Sequence, residues 1–167
     1  MITLQRATVN DIGTIRDIAG KTWFVTYGEI LSPEQMDYMF EMMYSVESIK
    51  RQINEQKHVF FIAYQSEKPL GYLSVEQQEA CLFHLQKLYI LPAGQNKGLG
   101  KILISKVFEY ARETSQGRKC AVELNVNRDN KALSFYKKMG MRIIGEGDFD
   151  IGNGFFMNDY IMRIDLE

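Results

Sequence analysis

With 167 residues, 46% of them hydrophobic and 25% charged, the chain has the composition of an ordinary globular protein and favours one domain over two. Twenty basic residues against 21 acidic ones leave a net charge of −1, which argues against a nucleic-acid binder held mainly by bulk charge. Two cysteines, Cys81 and Cys120, and two histidines, His58 and His84, argue against a disulfide scaffold, a thiolate zinc cluster and a multi-histidine metal site.

In chain order, Ile2 to Thr8 reads as a strand. Asn10 is placed to cap a following helix whose Ile12, Ile15, Ala19 and Thr22 share one face. Ser32-Pro33-Glu34-Gln35 carries the signature of a capping box, with proline at the first helical position, and Met36, Met39, Phe40 and Met43 follow at helical spacing. A third short helix is expected from Ser45 to about Gln56. Then come strands at His58–Gln65, Leu70–Gln77 and Cys81–Leu91, the last ended by Pro92. Gly98 to Thr114 is an amphipathic helix, with Leu99, Leu103, Val107, Tyr110 and Ala111 on one face. A strand at Lys119–Val126, a helix at Asn130–Met139 closed by Gly140, a strand at Met141–Gly145, a loop at Asp148–Gly154 and a strand from about Phe155 to Leu166 complete the order. This alternation implies a mixed α/β sheet with helices on both faces. No apolar run reaches the ~18–20 residues of a membrane helix, and no signal peptide is read at the start, so the expectation is a cytoplasmic protein without a membrane partner.

The segment His84 to Ile104 is the most informative. A strand stops at Pro92, a glycine-containing loop follows, and an apolar helix starts at about Gly98. Unsatisfied N–H groups at a helix start attract anions, and Gly98 and Gly100 leave that backbone open to close approach. Lys97 and Lys101 add positive charge, so the element suits a phosphate or pyrophosphate. It is not a P-loop, because Gly94 and Gly100 are separated by five residues and Ile102, not Ser or Thr, follows Lys101. It is not a dinucleotide fingerprint either, since Leu103 stands where the third glycine belongs.

Gln95-Asn96-Lys97-Gly98-Leu99-Gly100 resembles the Q/R-x-x-G-x-G/A acyl-CoA loop of the GCN5-related N-acetyltransferases. A second segment, VNRDNKALSFYKKMGM, carries Asn130, Ala132, Tyr136 and Gly140 in the family's order. The start KTWFVTYGEILSPEQM resembles the polyamine and diamine acetyltransferase branch related to PaiA. The resemblance implies one N-acetyltransferase domain over 1–167, built on a mixed, mostly antiparallel sheet of about seven strands flanked by helices. It implies an acetyl-CoA co-substrate, no metal, a small amine acceptor, and a homodimer by family habit.

In that family the backbone of Leu88, Tyr89 and Ile90 pairs with the pantetheine arm, and the amides of Gln95, Asn96, Lys97, Gly98, Leu99, Gly100 and Lys101 cradle the pyrophosphate. The resemblance extends cofactor contact to Asn127, Asn130, Tyr136 and Lys138. Lys97, Lys101, Arg128, Lys131, Lys137 and Lys138 form local basic charge in a neutral protein, which suits a polyanion, although each lysine alone also reads as part of a solvated face. Tyr136 matches the family tyrosine that protonates the departing thiolate; a phenol pKa of ~10 lies near that of a thiol. Asn130 also reads as a helix cap.

The base is the least determined position. Strand alternation places His84, Gln86 and Leu88 on one face and Lys87 and Tyr89 on the other. His84 is suited to neutral pH, Glu76 and Glu123 are rivals on neighbouring strands, and proton loss through water stays open. Trp23, Phe24 and Tyr27 stand where the family builds its acceptor pocket, and Glu29, Glu34, Asp37 and Glu41 follow. An acidic, aromatic pocket suits a cationic polyamine, and Trp23, Tyr27, Glu29 and Glu76 are its expected residues; a core tryptophan and a solvated acidic helix are the plainer alternative. Two other functions stay open: a protein N-terminal or lysine acetyltransferase, and a CoA-binding regulatory module without turnover.

Overall fold

The computed structural model describes residues 1–167. Strand β1 (Ile2–Arg6) leads through a 3-10 turn (Val9–Asp11) to helices α1 (Ile12–Tyr27), α2 (Pro33–Tyr44) and α3 (Val46–Asn54). Strands β2 (Val59–Gln65), β3 (Lys68–Glu79) and β4 (Leu82–Ile90) precede a second 3-10 turn (Pro92–Gly94) and helix α4 (Leu99–Thr114). Strand β5 (Cys120–Asn127), helix α5 (Ala132–Lys138) and strands β6 (Arg142–Gly152) and β7 (Phe155–Leu166) follow. The seven strands are ordered β1-β2-β3-β4-β5-β7-β6. β1–β2, β2–β3, β5–β7 and β7–β6 pair antiparallel, whereas β4 and β5 are parallel. The chain forms two compact units, one of Met1–Glu76 with Gln86–Ser105 and one of Gln77–Leu85 with Lys106–Glu167.

In the first unit, α1 buries Ile12, Ile15, Ala19 and Thr22, the face its periodicity selects. Its start differs from the expectation that Asn10 caps it. Thr8 accepts from the Asn10 N–H and Asp11 returns the bond to the Thr8 N–H at 2.8 Å, so a capping box closes the short 3-10 turn ahead of α1. Ser32 caps α2 where its motif places it, its Oγ accepting from the Gln35 N–H at 3.1 Å, and Ser45 caps α3, its Oγ accepting from the Ser48 N–H at 3.1 Å. Burying Ile15, Ile18, Ile49, Phe60, Ile62 and Leu73 supplies about 1.5–3 kcal/mol each before conformational entropy is subtracted.

In the second unit, β4 and β5 pair from Leu82–Ala121 to Leu85–Leu124, and β5 continues along β7 from Cys120–Leu166 to Asn127–Asp159. The expected loop over Asp148–Gly154 is largely strand. β6 runs on to Gly152, and the turn is confined to Asn153 and Gly154, at φ 53° and 79°. Two successive residues at positive φ are what a tight hairpin with right-handed twist demands, and Asn-Gly satisfies that at low cost.

Candidate active site

The Gln95–Lys101 loop, expected to hold a pyrophosphate, lies in the first unit. After β4 the chain turns at Gly94, where a Cβ would stand 2.9 Å from Leu99 Cδ2 and 3.2 Å from Leu70 Cβ. Asn96 and Gly98 then take positive φ, 62° and 71°. Leu99 anchors the start of α4 in the core, and the Ile102 N–H makes the helix's entering bond, to Gly98 O at 3.2 Å. The N–H groups ahead of it lie before the helix ladder, and Gln95 to Gly98 are exposed up to the buried Leu99. A Cβ built on Gly98 meets nothing within 4 Å, so the space in front of this loop is open. Lys97 and Lys101 flank it, and Lys97 Nζ reaches Gln65 Oε1 at 3.1 Å.

The strand entering this loop has a backbone edge outside its parallel ladder. Pairing with β5 ends at Leu85, while β4 continues to Ile90, so Leu88, Tyr89 and Ile90 lie beyond that pairing. On its other side β4 comes close to β3. The Leu91 N–H bonds to Leu70 O at 2.8 Å, and a Cβ on Gly71 would stand 2.7 Å from Tyr89 O. The Tyr89 side chain hydrogen-bonds the Tyr44 hydroxyl, and its ring lies tilted against Tyr72 with centroids 5.9 Å apart.

The second unit holds the remaining motif residues. Tyr136 is buried on α5 beside Phe135, with ring centroids 5.3 Å apart. Asn130 differs from the expected cap: Lys131 is the N-cap residue of α5, and Asn130 Oδ1 accepts from the Ala132 N–H at 2.9 Å in a turn just ahead of the helix. Asn127, buried, accepts from the Asp129 N–H at 2.9 Å and shapes the turn into α5. Lys138 is exposed in the last turn of α5, and Gly140 ends that helix at φ 98°. Arg128 departs from the expected basic cluster: Glu146 at 2.9 Å and Asp148 at 2.5 Å take its guanidinium, so its charge is already matched. Asp159, opposite Asn127 in the β5–β7 register and accepting from Asn125 Nδ2 at 3.4 Å, is buried, and burial raises its pKa.

The proton-handling residues fall in different surroundings. His84 is half-buried on β4 and stands opposite Glu123 in the β4–β5 register. Glu123 is paired with Arg163 at 2.7 Å. Glu76 bonds His58 Nε2 at 2.7 Å, and burial pushes the His58 imidazole below its ordinary value against the pull of that carboxylate. Strand alternation alone places Lys87 on the face of Tyr89 and gives it no further role. The lysine is 8% exposed, donates to Gln52 Oε1 and lies over the rings of Tyr44 and Phe60, 5.0 and 5.3 Å from their centroids. Burial pulls its pKa down to about 7. The alternation of buried Phe83, Leu85 and Lys87 along β4 is the signal that finds it.

On the helical arm, Trp23 is 2% exposed and gives its indole N–H to Met36 O at 3.1 Å. The Tyr27 ring packs tilted against it, with centroids 4.4 Å apart. The tryptophan is thus a core pin between α1 and α2, the plainer of its two readings. Glu29, Glu34, Asp37 and Glu41 are all exposed. No group of three His, Cys, Asp or Glu side chains is placed to hold a metal ion, and no helix is long and apolar enough to cross a membrane.

A family model described as the acetyltransferase (GNAT) domain matches residues 29–162. The chain belongs to the GNAT acetyltransferase family. A spermidine N(1)-acetyltransferase of Thermoplasma acidophilum is 26% identical to it over 149 residues, spanning 85% of this chain and 89% of that protein. The uncharacterized N-acetyltransferase YuaI of Bacillus subtilis is 24% identical over 155 residues, 90% of this chain and 86% of its own length. Among solved structures, PaiA N-acetyltransferase from Thermoplasma acidophilum in complex with coenzyme A has a TM-score of 0.82 at 23% identity, covering 99% of each chain. The likeness to that structure shows the GNAT fold, in agreement with the mixed, seven-stranded order of this acetyltransferase.

Proposed function

We propose that this GNAT acetyltransferase transfers the acetyl group of acetyl-CoA directly to a primary amine of a small molecule, a polyamine being the leading acceptor. The observation that carries the reading is the Gln95–Lys101 loop, which combines open space at Gly98, N–H groups ahead of the α4 ladder and two lysines. These features fit a pyrophosphate, and the helix dipole favours the same charge. The β4 edge at Leu88–Ile90 can pair with an amide-bearing arm as an added strand would. The coenzyme A bound to the similar PaiA structure supports the same assignment.

Acetyl-CoA supplies the activated acetyl group as a thioester. The protein then has three tasks: hold the cofactor, take a proton from the amine, and give one to the thiolate. Tyr136 is proposed for the last, with Asn127, Asn130 and Lys138 shaping and charging the segment around it. Proton removal falls to His84 or Glu76, since protonating Glu123 would break its charge-assisted pair with Arg163. Tyr27 and Glu29 stand for the acceptor side, with Trp23 fixing the arm behind them. The likeness to a spermidine acetyltransferase is what favours a polyamine. We further propose a single catalytic domain, a cytoplasmic location and a homodimer.

The test is release of CoA thiol from acetyl-CoA with spermidine, spermine, diamines, amino acids and short peptides. A rise with polyamines establishes the reading. A rise only with peptides replaces it by a protein acetyltransferase. Acetyl-CoA binding without turnover on any amine replaces it by a CoA-binding module.

A further inference from the structure

We propose that Cys81 and Cys120 form a reversible modification site, closing to an intramolecular disulfide by exchange with a low-molecular-weight disulfide and reopening with a thiol. Both residues belong to the second unit, the chain holds no other cysteine, and the acetyl-transfer reading uses neither. The printed β4–β5 register begins at Leu82–Ala121, so Cys81 and Cys120 are the pair immediately before it. The Ala121 N–H donates to Cys81 O at 2.9 Å, the bond a parallel ladder makes at that step. The two Cα atoms therefore stand one strand spacing apart, ~4.8 Å, inside the ~4.4–6.8 Å that a disulfide spans.

The two positions also share a face. Opposite residues on neighbouring strands point the same way, and every second residue along each strand keeps that face. Phe83 with Val122 and Leu85 with Leu124 continue it from Cys81 and Cys120, and all four are buried. The exposure of the two cysteines differs in a useful sense. Cys120 is 6% exposed and has the buried Leu166 opposite it on β7, so β4 is the side on which it meets a second thiol. Cys81 is half-buried in the short turn between the end of β3 at Glu79 and the start of β4 at Leu82, beside the exposed Ala80. A reagent reaches Cys81 first, and Cys120 is the resolving thiol.

The Cys81 thiolate attacks one sulfur of the small disulfide, forming a mixed disulfide and releasing one small thiolate. The Cys120 thiolate then attacks the Cys81 sulfur, forming the Cys81–Cys120 bond and releasing the second. Two protons from the protein thiols end on the two small thiols, and two electrons pass from the protein sulfurs to the small disulfide. Closure has to draw the strands together, because the Cβ atoms of a disulfide lie ~3.8 Å apart on average against a strand spacing of ~4.8 Å. That strain makes the bond easy to reduce, which suits a reversible modification better than a permanent staple. The parallel ladder it locks is short, from Leu82 to Leu85 on β4.

The experiment incubates the folded protein with oxidised glutathione and follows free thiols, intact mass and the peptide map. In the wild type both thiols are expected to disappear, the mass to fall by about 2 Da with no glutathione adduct, and the map to join Cys81 to Cys120; dithiothreitol restores both thiols. Cys120→Ala is expected to stop at a glutathione adduct on Cys81, and Cys81→Ser to react about tenfold more slowly or less, its remaining thiol being buried. Oxidised wild type is expected to melt about 2–8 °C above the reduced form, and Cys81→Ser to melt alike with and without oxidant. A lasting glutathione adduct on wild-type Cys81 with Cys120 still free overturns the proposal. So does a disulfide-linked dimer, or thiols that the oxidant leaves untouched. An oxidised form that melts below the reduced one overturns it too, since the bond then forms only where the fold is broken.

Discussion

Lys87 Nζ donates to Gln52 Oε1, joining the middle of β4 to the buried face of α3. Gln52 is spent on the same cluster, its Nε2 bonding Met43 O at 2.8 Å and Ser48 Oγ at 3.1 Å. The amine therefore has one neutral acceptor and two ring faces, with no carboxylate to pay for its desolvation, which is why burial drags its pKa to about 7.

That shift fixes a sign. The unfolded chain keeps its lysine protonated up to ~10.4, the folded one only to about 7, so between these values the unfolded state binds more protons and stability rises with pH. The penalty is complete below pH ~7 and fades toward ~10.4. Lys87→Met, which keeps volume and drops the charge, is expected to stabilise the fold by about 1–3 kcal/mol at pH 6, after the loss at Gln52 Oε1 is subtracted. The gap to wild type should narrow by about 2–3 kcal/mol by pH 9. Urea unfolding at both pH values measures it, and a gap independent of pH would show that the buried amine keeps its proton throughout and that its pKa is not lowered.

Tyr136 tests the leaving-group step. Tyr136→Phe removes one hydroxyl and leaves the buried ring beside Phe135. Thiol release with the best amine should fall by about 10–10³, with acetyl-CoA affinity unchanged within about twofold. Single-turnover kinetics and a calorimetric titration separate the two. An unchanged rate would remove the tyrosine from the mechanism.

Gly98 tests the loop. Its φ of 71° costs any residue with a Cβ about 1–2 kcal/mol, yet a Cβ there meets no neighbour within 4 Å. Gly98→Ala should lose about 1 kcal/mol of stability, and Gly98→Asn less, because asparagine tolerates this region. Both place atoms in the space where a phosphate is to sit, so both should weaken acetyl-CoA binding, asparagine more through its bulk. Affinity tracking stability instead of side-chain size would mean that the loop does not contact the cofactor.

Local chemistry made much of this readable in advance. Ser32 and Ser45 cap their helices because a side-chain oxygen within three residues is all a cap needs. Thr8, two residues before Asn10, takes the Asn10 N–H and caps a 3-10 turn ahead of α1, whose own first residue follows Asp11 without a side-chain cap. Asn153-Gly154 is a hairpin signal that the polar Asp148 and Asp150 mask, because they interrupt the apolar alternation of a strand on an exposed edge. The His58–Glu76 pair was out of reach: it depends on the β2–β3 register, which no single strand's pattern reveals. The Arg128 pairs likewise need the β6 extension that the sequence pattern hid.

Gly71 tests whether the β4 edge is set by its neighbour. A Cβ at this position would stand 2.7 Å from Tyr89 O and 3.3 Å from Ile90 Cα, both backbone atoms that no rotamer change can move away. Gly71→Ala must therefore shift β3 from β4 at the very residues proposed to pair with the pantetheine arm. The expected costs are about 1–3 kcal/mol of stability, typical of overpacking, and a loss of acetyl-CoA affinity. The Leu91 N–H, bonded to Leu70 O at 2.8 Å, is the local reporter and should exchange faster in the variant. If that amide loses protection while acetyl-CoA affinity is kept, the strand edge moves without consequence and the cofactor is held by the Gln95–Lys101 loop alone. If both are lost together, the close approach that glycine permits here is what sets the edge for binding.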